Sequence, residues 1–258
     1  MMLQVAYFQM AGSGKHRNQD TLFNGMKVCY ALLHKTRRVE CVPNTSVRLA
    51  ISDGVSCSPA PHLASRFWMN KFMQHDDAFG RFLCQYHSQY HSQFCEAMSE
   101  VHFGSAATFV SVTITPDGQC HVCNVGDSRA YRITATGVWQ QVSHDHTVLA
   151  ELIEQGQAQA DQHYAGLYDA LTQCLIADSE ESDFKVYTHS FKLLPGESVV
   201  VCSDGLSNAI THAQLETVWS VHSALEEKLE ALRKSVKKQS HHDDCSVVCA
   251  HYSDKHAI

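Results

Sequence analysis

The sequence contains no uninterrupted apolar run of 18 residues, which excludes a helical membrane span. Residues Met1–Lys15 lack a charged lead followed by a long apolar stretch, so no signal peptide is expected there. Basic residues are in deficit: 20 Lys and Arg face 27 Asp and Glu, for a formal net charge of −7. No basic stripe is available to neutralise phosphates, which argues against a nucleic-acid partner. Proline is scarce, with five residues, and two of them, Pro59 and Pro61, fall in one loop. No Pro/Gly-rich linker, low-complexity tract or internal repeat divides the 258 residues, so a single domain over 1–258 is expected. Charged residues make up only 18% and hydrophobic residues 44%, a balance that excludes a disordered chain. Two residue types are in excess, with 18 His and 11 Cys. An odd cysteine count without an export signal suits reduced thiols and a cytoplasmic location.

Short β-type runs recur at Leu3–Phe8, Met26–Leu33, Val47–Ile51, Ala107–Ile114, Cys120–Val125, Ala130–Ile133, Ser198–Cys202 and Cys245–His251. Helical patterns lie between them at Leu63–Met73, Arg81–Val101, about Thr147–Gln155 and Val221–Val236. In the last, Val221, Leu225, Leu229, Leu232 and Val236 make one apolar face, with Glu230 and Lys234 able to pair outside it. Helices arrive in blocks between groups of strands rather than after each strand. That pattern predicts an α+β fold with antiparallel sheets rather than a doubly wound parallel sheet.

Acids stand at the mouths of these strands. Ile51-Ser52-Asp53-Gly54 and Cys202-Ser203-Asp204-Gly205 are apolar strands that end in Asp-Gly. Asn124-Val125-Gly126-Asp127 is a third case, His242-Asp243-Asp244 precedes a strand, and Arg17-Asn18-Gln19-Asp20 is a fifth. One Asp-Gly alone reads as a turn. Several acids gathered at the ends of packed strands would repel one another and resist burial. Hard divalent cations such as Mg²⁺ or Mn²⁺ resolve that conflict through oxygen ligands. A Gly after the Asp lets its backbone carbonyl come close to a metal.

In their order along the chain, these motifs resemble the protein phosphatase 2C family of metal-dependent Ser/Thr phosphatases. The resemblance runs through Lys15–Asp20, Ser52–Gly54, Gly104–Val112, Asn124–Arg132, Ser143–Thr147, Cys202–Ile210 and Asp243–Val247. It implies a four-layer α-β-β-α sandwich of two antiparallel sheets flanked by helices, with two Mn²⁺ or Mg²⁺ ions at one end. By that resemblance Asp53 would bridge the ions and the Gly54 carbonyl would bind one. Asp204 and Asp243 would complete one shell, Asp20 would act on the other site, and Asp127 would match a third, weaker position. Lys15 stands where the family places a phosphate-binding Arg, and Arg17 is near enough to share or replace it. The implied reaction is hydrolysis of phosphoserine and phosphothreonine by a hydroxide bridging the two ions. The implied partners are phosphoproteins and a cognate Ser/Thr kinase.

The sequence departs from the family pattern at four places. Val55 stands where some members have a His proposed as general acid, Gln19 replaces a usual Glu, Asn208 replaces a frequent Asp, and Asp244 replaces a common Asn. Two alternatives follow: a catalytically weak phosphoprotein-binding module on the same fold, and a thiol-based phosphatase. The second rests on Cys123 and Arg129, which match the Cys-x5-Arg phosphate loop, a spacing close to chance expectation in a chain with 11 Cys. Cys120 and Cys123 form a Cys-x2-Cys pair, but strand alternation sends them to opposite faces, against zinc. The resemblance places His144–Thr147 near a mobile flap, where His146 either assists or occupies a surface turn. His87 and His91 read as a solvated helix face. Gly104–Thr108 reads as a structural turn beneath the site. Glu151–Ser182 and Ser56–Pro61 are the expected carriers of substrate preference.

Overall fold

The computed structural model describes residues 2–41, 45–75, 80–98, 100–159, 162, 164–181 and 184–253. The strands are β1 (Leu3–Met10), β2 (Thr21–Phe23), β3 (Val28–Cys29), β4 (Leu33–Val39), β5 (Val47–Ser52), β6 (Ala106–Ala107), β7 (Phe109–Ile114), β8 (Gln119–Val125), β9 (Arg129–Ile133), β10 (Trp139–Gln141), β11 (Leu175–Ile176), β12 (Tyr187–Lys192), β13 (Ser198–Cys202) and β14 (Cys245–Tyr252). The helices are α1 (Pro61–Gln74), α2 (Phe82–Met98), α3 (Val148–Glu154), α4 (Asp204–Ser207), α5 (His212–Val221) and α6 (Leu225–Lys237). Among the described residues, two six-stranded sheets form, in the orders β10-β9-β13-β14-β1-β4 and β12-β8-β7-β5-β2-β3. All their pairings are antiparallel.

Three apolar layers hold four layers of structure together. Val5, Tyr7, Leu49, Ile51, Val110, Val112, Val199, Val201 and Val248 fill the space between the sheets. Alternation along the same strands sends Phe8, Val200, Cys202 and Val247 outward, where Leu215, Trp219, Leu229 and Leu232 of α5 and α6 cover them. On the opposite side Ala50, Phe109, Cys123 and Val125 meet Trp68, Met69 and Phe72 of α1 and Phe94 of α2. Each large side chain so buried contributes about 1.5–3 kcal/mol. The architecture is the expected α+β sandwich. Cys120 lies in the layer between the sheets and Cys123 under the helices, as their odd spacing predicted.

Several boundaries differ from expectation. The run Met26–Leu33 is not one strand: β3 ends at Cys29 and β4 begins at Leu33. β12 lacks an apolar pattern because it is an edge strand with mostly exposed side chains, so sequence reasoning passed it over. The helix expected over Val221–Val236 is two helices. α5 starts on a capping box made by Thr211 and Gln214 and stops at His222, which is extended. Before the turn Trp219 packs edge-on against Trp139, at 5.4 Å between ring centroids, while Val221 is left 71% exposed. Glu230 does pair outside α6, more closely with Arg233 at 2.7 Å than with Lys234 at 4.0 Å.

Candidate metal centre

Register brings the acids to one end of the sandwich. In one sheet Thr21 faces Ser52, Ile51 faces Val110, and Phe109 faces Val125. The start of β2 and the ends of β5 and β8 therefore coincide, so Asp20, Asp53 and Asp127 emerge together. In the other sheet Cys202 faces both Val247 and Arg129, and Val247 faces Phe8. Asp204, Asp243 and Asp244 emerge at that end as well.

The acids perturb one another as a cluster does. Burial, then the charges of Asp20, Asp204 and Asp127, hold the Asp53 carboxyl well above the ordinary carboxylate range. Burial and the Asp244 charge push Asp20 up to about 7. Burial, Asp204 and Asp145 push Asp127 up to about 7. Asp204 is also raised, chiefly by burial. The Asp53 and Asp204 carboxyls are close enough to perturb each other, so ionising one opposes ionising the other. Asp20 Oδ2 accepts from Ser203 Oγ at 2.8 Å, whereas Oδ1 is buried and accepts from nothing.

The backbone around these acids is tightly fixed. Thr108 brackets Asp53: its N–H donates to the Asp53 carbonyl at 2.8 Å, and its hydroxyl accepts from the Asp53 N–H at 3.2 Å. The same hydroxyl meets Ser128 Oγ at 2.8 Å, tying β5 to the loop that carries Asp127. Gly54 is buried, and its N–H donates to the Gln19 carbonyl at 3.3 Å. A Cβ on Gly54 would stand 2.4 Å from the Pro61 carbonyl, so only glycine lets α1 pack this close. A Cβ on Gly205 would stand 2.0 Å from the Asp244 carbonyl oxygen.

Lys15 is fully engaged. Its ammonium donates to Gln19 Oε1 at 2.9 Å, Asp243 Oδ1 at 2.5 Å and Asp244 Oδ2 at 3.0 Å. Those contacts use all three ammonium donors. Burial works against its charge, but the hydrogen bonds to both acids outweigh burial and push its pKa up. The two acids differ in setting: the Asp243 side chain is 48% exposed and that of Asp244 only 2%. Arg17 is exposed and reaches His62 Nε2 through Nη1 at 2.5 Å.

The donor set suits a hard divalent cation. Every candidate group is a carboxylate or backbone oxygen, one buried carboxylate oxygen lacks a partner, and the buried carboxyls raise one another's pKa. Among the described residues, no three His, Cys, Asp or Glu side chains are already gathered about one point. Holding an ion therefore requires the carboxylates to draw inward.

Other candidate residues sit apart from this cluster or play a different part in it. Cys123 is buried under α1 and α2 on β8, while Arg129 is on β9 of the other sheet and grips Asp145 through Nε at 2.9 Å and Nη2 at 2.5 Å. A thiol phosphate loop needs both side chains on one anion, so this arrangement speaks against that alternative. His146 is neither at a surface turn nor exposed: it is buried, and its Nδ1 accepts from the Gly126 N–H at 3.1 Å. His91 is not solvated either, since it is buried with Nε2 3.0 Å from the Ile176 carbonyl. Ser105 supports the turn, its Oγ accepting from the Ala60 N–H at 3.0 Å. Asn208 donates to Asp204 Oδ2 at 3.1 Å. Ser182, at the end of the expected flap, lies outside the described residues. Sequence reasoning missed the buried role of Asp244, the Thr108–Ser128 bracket and the Arg129–Asp145 pair. The adjacent acids at 243 and 244 were the available signal for the first. The other two join residues distant in the chain.

The family model of protein phosphatase 2C matches residues 44–242. The chain belongs to the protein phosphatase 2C family. It is similar to a serine/threonine phosphatase, stp, of Listeria innocua, with 26% identity over 152 residues. That alignment spans 59% of this chain and 59% of the relative's length. The fold is similar to that of the Streptococcus-type S. agalactiae serine/threonine phosphatase, with a TM-score of 0.78 and 19% identity, covering 98% of this chain and 100% of the other. It is also similar to the catalytic domain of the serine/threonine protein phosphatase PstP in complex with two manganese ions, with a TM-score of 0.73 and 17% identity, covering 98% of this chain and 100% of the other.

Proposed function

We propose that residues 1–258 act as one catalytic unit, a metal-dependent phosphatase that hydrolyses phosphoserine and phosphothreonine in proteins. The observation that carries this reading is the convergence of Asp20, Asp53, Asp127 and Asp204 with too few cations to balance them. Asp53 and the Gly54 carbonyl, with Asp204 and Asp243, would hold one or both of two Mn²⁺ or Mg²⁺ ions. Asp20 would serve the second ion, and Asp127 a third, weaker position. Bound there, the ions supply Lewis acidity that makes water nucleophilic near neutral pH and offsets charge on phosphoryl oxygens.

The chain's own groups divide the remaining work. Lys15, with its donors filled, orients Asp243 and neutralises Asp244. Arg17 is then the residue that contacts the phosphoryl group, since its guanidinium retains N–H donors beyond the one that meets His62. Thr108, backed by Ser128, fixes the Asp53 backbone and Ser203 fixes the Asp20 carboxylate before substrate arrives.

Substrates would be phosphoproteins, and a kinase that writes the same phosphoserine or phosphothreonine is the matching partner class. None of the eleven cysteines is in a disulfide, which suits a reducing compartment such as the cytoplasm. Among the described residues, no helix is long and apolar enough to cross a membrane. Chelation separates the readings. EDTA should abolish phosphate release from a phosphothreonine peptide and added Mn²⁺ should restore it, while iodoacetamide should have little effect. Asp204→Asn should lose the Mn²⁺-dependent rate. Inhibition by iodoacetamide with indifference to EDTA would instead favour the thiol chemistry, and Mn²⁺-independent peptide binding without turnover would favour the binding module.

A further inference from the structure

Beside the acidic cluster lies a group of basic residues that the reading above does not use. The first turn of α1 is locked to the site: Ser65 Oγ donates to the Gln19 carbonyl at 2.6 Å, and Pro61 crosses Gly54 at a distance only glycine permits. That anchoring places His62 and Arg66, four residues apart on one face of α1, next to Arg17. His62 lies within electrostatic reach of Arg17, Arg66 and His102. Arg66 in turn feels Arg17 and the phenol of Tyr30.

We propose that His62 and Arg66 form an anion-recognition site adjoining Arg17, which binds a second negative group, a carboxylate or a second phosphate, flanking the phosphorylated residue of a peptide substrate. The inference rests on the phosphatase reading and adds a substrate class to it.

The strongest observation is at Arg66. Its Nε is buried and has no hydrogen-bond partner. Leaving a buried guanidinium N–H unmet is costly, and an incoming anion removes the cost. Arg129, Arg132 and Arg233 each grip a carboxylate, Asp145, Glu197 and Glu230 in turn. Among the described residues no carboxylate forms an ion pair with Arg17 or Arg66. In a chain of net charge −7, an unpaired group of cations is not a by-product of composition.

The geometry is that of a prepared receptor. The Arg66 guanidinium lies over the Tyr30 ring, 4.1 Å from its centroid, which fixes its plane. His62 Nε2 accepts from Arg17, so the neutral ring carries its proton on Nδ1, a further donor. Tyr30 is 52% exposed and Arg17 is exposed, so the patch opens to solvent where a peptide would cross toward the acids.

Three phosphothreonine peptides test this: one with neutral flanks, one with Glu at the two positions on either side, and one with a flanking phosphoserine. With Mn²⁺ present, kcat/KM for one or both anionic peptides should exceed that for the neutral peptide by about tenfold, the worth of one charge-assisted hydrogen bond. A preference for Glu alone assigns a carboxylate, for phosphoserine alone a phosphate, and for both the shared chemistry. In Arg66→Gln, and to a lesser degree in His62→Gln, the ratio should fall toward one. The ratio is internal to each variant, so a general loss of folded enzyme does not move it. Equal kcat/KM for all three peptides in the wild type would overturn the proposal, as would a preference that survives Arg66→Gln. If no peptide is hydrolysed, the phosphatase reading fails instead. The same ratios are then read from fluorescence anisotropy of the three peptides on the Mn²⁺-loaded protein, where equal affinities overturn the anion site.

Discussion

Asp244 is buried, so its carboxylate depends on what surrounds it. Oδ1 accepts from the Gly12 N–H at 2.7 Å, and Oδ2 accepts from the Gln19 N–H at 2.9 Å and from Lys15 at 3.0 Å. Removing Lys15 leaves two backbone donors but no countercharge. Breaking a fully buried pair costs about 3–5 kcal/mol, and the partial exposure of Lys15 with the two remaining donors lowers that figure. Lys15→Ala should therefore reduce unfolding free energy by about 1–2 kcal/mol, measurable by urea denaturation. An unchanged or raised stability would contradict the countercharge role. This role was only half legible in the sequence. The motif spacing marked Lys15 as a site residue, but a phosphate contact and a structural ion pair look alike until Asp243 and Asp244 are placed beside it. The same holds for His62, which appears in the sequence as a residue after proline and in the structure as the partner of Arg17.

Elements carry the site because they fix where strands end. α4 begins at Asp204, and Gly205 leaves no room for a side chain against the Asp244 carbonyl. Gly205→Ala forces the start of α4 away from β14 and should cost about 3 kcal/mol or more, with a lowered Tm. Retention of wild-type Tm would contradict the close approach. At the far side of the same sheet, α6 is pinned to β4 by Glu230, which accepts from Thr36 Oγ1 at 3.0 Å and from Arg233 at 2.7 and 2.9 Å. The Arg233 hydrogen bonds hold the Glu230 carboxyl down at about 2. A folded-state pKa below the unfolded value, about 4.3, stabilises the fold above that value and loses its effect as pH falls toward 2. Stability should therefore decline between about pH 4.5 and 2, and less steeply in Glu230→Gln. Equal slopes would contradict the assignment. Element legibility followed amphipathicity. β7 and β13 were readable because they are rich in β-branched residues, Val110, Val112, Thr113 and Ile114 in one and Val199, Val200 and Val201 in the other. The break at His222 was not, because the apolar step of four residues from Val221 to Leu225 continues across it.

At the scale of the molecule, two antiparallel sheets place six strand-end acids at one rim, and the two outer helix layers seal the rest. The α+β order was visible in the grouping of strands and helices. The facing of particular strands was not, because pairing joins residues as far apart as Leu3 and Tyr252. The rim is also where charge is unbalanced in both directions, with carboxylates at its centre and Arg17, His62 and Arg66 beside them. This juxtaposition suits a catalyst whose cations are bound rather than built in, and whose substrate is itself an anion. The most direct test is the initial rate of phosphate release from phosphoserine and phosphothreonine peptides, with phosphotyrosine as control, measured against Mn²⁺ concentration for wild type and Asp53→Asn. The account predicts a saturable Mn²⁺-dependent rate on the first two peptides, lost by at least about a hundredfold in Asp53→Asn, as for removal of a group central to transition-state stabilisation. A rate that does not depend on Mn²⁺, or that survives Asp53→Asn, would contradict it.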